Sequence, residues 1–74
     1  MALDRQLFIC QFTPAGAEAP TIGVALMATE PHRALAAFVH LEVPADEPGR
    51  IVIRDEHGVQ LLSEPWPPER RAAG

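Results

Sequence analysis

The chain predicts an α+β domain of order β-β-α-β-β: a four-stranded, mainly antiparallel sheet with one helix on one face and a Pro-rich C-terminal tail. Three observations carry that reading. The run Thr21-Ile22-Gly23-Val24-Ala25-Leu26-Met27-Ala28 alternates with the period of two that a strand requires. It leads straight into Thr29-Glu30-Pro31, a helix start. Two further apolar runs flank Asp55-Glu56-His57-Gly58, the pattern of a hairpin.

Residues 6–13 read as the first strand, with Phe8, Cys10 and Phe12 on one face and Leu7, Ile9 and Gln11 on the other. The more aromatic face is expected to point at the core. Thr13 to Pro20 forms a Pro/Gly/Ala loop. In the second strand Ile22, Val24 and Leu26 share the core face, while Thr21, Gly23, Ala25 and Met27 share a face of mostly small side chains. Thr29 is the expected N-cap, Glu30 suits the positive helix end, and Pro31 fits the first turn because its missing donor would be unpaired there.

The helix is expected to run from Pro31 to about Leu41. Pro31, Ala34, Leu35 and Phe38 form its apolar stripe, flanked by Val39 and Leu41; Arg33, Ala36, Ala37 and His40 lie opposite. Val43 precedes Pro44 and is pushed toward extended geometry. An acidic turn, Ala45-Asp46-Glu47-Pro48-Gly49, follows. In the hairpin, Ile51, Ile53, Val59 and Leu61 suit the core, leaving Arg50, Val52, Arg54, Gln60 and Leu62 outside, and Gly58 can supply the left-handed turn position. Residues 1–63 thus read as a single small domain. Residues 64–74 read as a flexible tail, since Pro65-Trp66-Pro67-Pro68 lacks sheet donors at its prolines.

A 74-residue chain supports one thin core, because domains of this size bury only about 60% of the surface their unfolded chain exposes. The net charge of −4, with no Lys, provides no clustered positive surface to track phosphates, which argues against direct nucleic-acid binding. The lack of Lys, Asn and Tyr beside abundant Ala, Pro, Arg and Gly resembles the codon bias of a GC-rich bacterial or phage genome. A lone Cys10 cannot form an internal disulfide. No signal-peptide pattern opens the chain, and no apolar run approaches the roughly 20 residues that span a bilayer. A cytoplasmic protein with no membrane partner is expected.

No metal or cofactor is expected. His32 and His40 are eight apart, about 12 Å along a helix, too far for one ion; His57 sits in a turn and Cys10 faces the core. Nor is an enzyme with a small-molecule substrate expected: Ser63 ends a strand, Cys10 has no evident base, and the glycines are scattered singly rather than forming a phosphate loop. Arg50 and Arg54 share a face of one strand and read as a solvated edge whose charges discourage strand addition.

One helix covers one sheet face, which leaves Leu7, Ile9, Ala25, Met27, Val52 and Leu62 on the other. If these form one patch of several hundred Å², burying it contributes several kcal/mol at about 25 cal/mol/Å². Trp66 either folds back over its own sheet or anchors a partner. The outer helix face, with Arg33, Ala36, Ala37 and His40, is a secondary contact surface. The expected partner is another protein, or a second copy of the chain acting in a homo-oligomeric assembly. In layout, residues 6–63 are similar to small phage or mobile-element proteins that block host machinery, including some anti-CRISPR inhibitors. That resemblance implies an inhibitor whose Glu42, Asp46, Glu47, Asp55 and Glu56 meet a nucleic-acid-binding surface.

Overall fold

Strand β1 (Gln6–Pro14) is the inner spine of a four-stranded sheet in the computed structural model, which describes residues 4–68. With β2 (Ile22–Ala28), helix α1 (Pro31–Leu41), β3 (Gly49–Asp55) and β4 (Gln60–Trp66), the sheet order is β2-β1-β3-β4. Every strand pair is antiparallel. Because β2 and β3 both oppose β1, they are parallel to each other and need a crossover; α1 supplies it and lies over one face. The α+β reading holds.

Alternation places Phe8, Cys10 and Phe12 of β1 and Ile51 and Ile53 of β3 under the helix, where they meet Ala34, Phe38 and Val43 in a fully apolar core. Fully burying each large apolar side chain contributes about 1.5–3 kcal/mol. Ile22, Val24 and Leu26 of β2 pack at the rim of this core. Gly49 opens β3 where a Cβ would lie 2.7 Å from Phe12 Cε1 and collide with the Thr13 carbonyl oxygen, so only glycine lets β3 come this close to β1.

The helix spans the expected residues, but its cap differs. Glu30, not Thr29, is the N-cap: its extended backbone turns into Pro31, and its carbonyl accepts from the Arg33 and Ala34 N–H groups without any side-chain cap. At the other end Leu41, which flanks the apolar stripe, is 65% exposed. The chain turns after Leu41, and Val43 fills the core position instead.

The larger correction concerns β4. Ile53 pairs with Leu62 and Arg54 with Gln60, so Leu61 is an extra residue at a bulge. The bulge inverts the expected phase beyond it, so that Leu62 packs against the core and Leu61 is 39% exposed; Val59, in the turn before β4, is 56% exposed. The strand also continues to Trp66, through Pro65, where a flexible tail was expected from residue 64. Pro65 is tolerated because β4 is an edge strand and one side of it needs no donors. Residues 69–74 of that expected tail lie outside the described residues.

Candidate functional site

The face of the sheet turned away from α1 carries no covering element among the described residues. Its make-up follows from register. On β1, Leu7 pairs with Met27 and Ile9 with Ala25, so four apolar side chains meet at the β1–β2 corner. Met27 is 57% exposed and Ala25 is exposed, while Leu7 and Ile9 are half-buried by their neighbours.

Toward β3 and β4 the same face turns polar. Arg54 lies opposite Ile9, its Nε donating to Gln11 Oε1 at 3.2 Å and its Nη1 to the Gly58 carbonyl at 3.2 Å. The Arg50 guanidinium donates to Ser63 Oγ at 2.8 Å. Val52 sits between Gln11 on one side and Ser63 on the other, so polar groups separate it from the corner. The arginines do not line an edge as expected; β3 lies between β1 and β4, and their guanidiniums are spent on neutral oxygens of this face.

Leu62 and Trp66 leave the expected interface altogether. Both lie on the helix side, packed against the core. The Trp66 indole Nε1 donates to the Pro44 carbonyl at 2.8 Å, which ties the end of β4 to the loop after α1. There the ring helps wall a groove of 260 Å³ with Leu35, Val39 and Ile51. Sequence periodicity gave no sign of this groove, because it forms between α1 and β4, which are far apart in the chain.

On the outer helix face, Arg33, Ala36 and His40 are exposed and Ala37 is half-buried. Arg33 Nε approaches Glu30 Oε2 at 3.7 Å, an exposed pair of little energetic weight. The acidic residues divide between two sites: Glu42, Asp46 and Glu47 lie before β3, while Asp55 ends it and Glu56 follows, so most of the strand's length, about 20 Å, separates the two groups. They do not form one acidic surface.

The β3–β4 turn borders the apolar corner. Asp55 Oδ1 accepts from the His57 N–H at 2.8 Å and the Val59 N–H at 2.9 Å, and Gly58 takes a φ of +88°. The Val59 and His57 N–H groups hold the Asp55 carboxyl below its ordinary pKa. A recess of 430 Å³ lies between this turn and Leu7 and Met27, rimmed by Arg5, Asp55, Glu56 and His57. The recess thus combines apolar walls with a charged rim.

For chemistry the described residues offer little. Burial pushes the Cys10 thiol up to about 11, which keeps the thiolate scarce and the sulfur a packing group. Among the described residues no three His, Cys, Asp or Glu side chains gather as a metal site would need, and no helix is long and apolar enough to cross a membrane. No protein-family model, curated protein or solved structure matches the chain.

Proposed function

We propose that this chain is a small, non-catalytic protein-binding module of bacterial or phage origin that acts in the cytoplasm as an inhibitor or adaptor. The observation that carries the reading is the apolar corner of Leu7, Ile9, Ala25 and Met27 on the uncovered sheet face, beside the charged rim of the β3–β4 turn. Water-exposed apolar side chains that adjoin one another gain by burial, and a rim of charges sets orientation and partner choice. Of the acidic residues only Asp55 and Glu56 belong to this rim; Glu42, Asp46 and Glu47 lie at the other end of β3, so mimicry of nucleic acid is not part of this proposal.

Ile9→Arg places a charge in the middle of the corner without touching the core face of β1. Leu41→Arg, on an exposed position at the helix end, serves as the control. Partner capture from the source cell, followed by a Kd with the purified partner, is expected to fall at least tenfold for Ile9→Arg and to stay unchanged for Leu41→Arg. Equal affinity for Ile9→Arg and the parent chain, with both melting alike, would remove this face as the contact.

A further inference from the structure

We infer that β2 pairs edge to edge with the β2 of a second copy, antiparallel and about a two-fold axis through Ala25, joining two four-stranded sheets into one continuous sheet. β2 is an edge strand, so alternate residues present backbone N–H and C=O groups outward with no strand to receive them. It carries none of the devices that normally block strand addition. Residues 22–28 contain no charge and no proline, and the pairing with β1 runs from Ile22 to Ala28 without a bulge. The other edge, β4, holds Glu64, Pro65 and a bulge.

A second copy is the occupant because the strand is complementary to itself. Centred on Ala25, the antiparallel register sets Ile22 against Ala28, Gly23 against Met27, Val24 against Leu26 and Ala25 against its own counterpart. On the open face the long Met27 side chain then lies over a glycine, and two alanines meet on the axis. On the helix side the half-buried Ile22, Val24 and Leu26 of each copy extend the other's apolar rim. An uncharged strip also lets two copies of a chain with net charge −4 approach there without like charges facing each other.

A two-fold axis normal to the sheet keeps both helices on one side and both apolar corners on the other, so Ile9 and Ala25 of the two copies form one strip across the join. Seven residues give a shared edge of about 24 Å. That contact falls at the small end of interfaces, where roughly 800 Å² per partner is standard, so the dimer is expected to dissociate on dilution.

The test combines mass against concentration with register-specific crosslinking. Sedimentation of the intact chain is expected to shift from one to two protomer masses as concentration rises. Ala25→Lys is expected to weaken association at least tenfold by setting two ammonium groups face to face on the axis. Ala25 is exposed, so at dilution, where both proteins are monomers, the variant is expected to melt with the parent. Under mild oxidation Ala25→Cys is expected to form a covalent dimer, and Met27→Cys, which faces Gly23, is not; buried Cys10 contributes no crosslink to either. A monomer mass at every concentration, an Ala25→Lys dimer as tight as the parent's, no Ala25→Cys crosslink, or equal crosslinking at position 27 would each overturn the inference.

Discussion

The two edges of the sheet are built to opposite rules. β4 is closed: a bulge at Leu61 breaks its ladder, Pro65 has no N–H to offer, and Trp66 clasps the loop after α1 through its bond to the Pro44 carbonyl. β2 is open along its whole length, regular and free of charge. Natural sheets commonly blunt their edges, and this contrast between one blunted and one unblunted edge on the same small sheet is the observation on which the proposed pairing of β2 rests. The apolar corner of the open face lies on the β2 side of the sheet, where edge and face adjoin.

The strongest way to break this comparison is to undo the clasp. Trp66→Ala removes a part-buried indole and a hydrogen bond, and is expected to cost about 2–4 kcal/mol, a drop of roughly 10 °C or more in Tm for a domain of this size. An unchanged thermal melt would show that β4 is not held by Trp66. Smaller in stability, but sharper for the contrast, is Pro65→Val. It restores a donor to β4 and is expected to shift stability by under about 1 kcal/mol while adding a second, weaker mode of association visible by sedimentation. If association stays the same, the bulge alone closes that edge.

The smallest effect belongs to the turn that ends β4's ladder. The folded Asp55 carboxyl titrates below its unfolded value, so its contribution to stability is present above the ordinary carboxylate range and is lost as pH falls through the lowered folded value. Asp55→Ala is expected to lower Tm slightly at pH 7 and to flatten the acid limb of a Tm-against-pH curve below about pH 4. Parallel acid limbs for the two proteins would separate the turn from acid stability.

The chain order of elements, the core faces of the first three strands and the helix from Pro31 to Leu41 were legible from the residues alone, because each follows from a local period of two or 3.6 or from a proline's fixed backbone. Four of the residues expected at the interface, Leu7, Ile9, Ala25 and Met27, come together for the same reason: alternation on two neighbouring strands puts them on one face. Val52 shares that face yet is isolated by Gln11 and Ser63, which depends on cross-strand register and not on its own strand.

Periodicity is a property of a segment, so it decided which side chains of a regular strand go together. It could not decide the bulge that inverts β4, the seat of Trp66 against Pro44, or which strands end at an edge. Those depend on contacts between residues far apart in the chain, and one inserted residue at Leu61 is enough to exchange the two faces of everything after it.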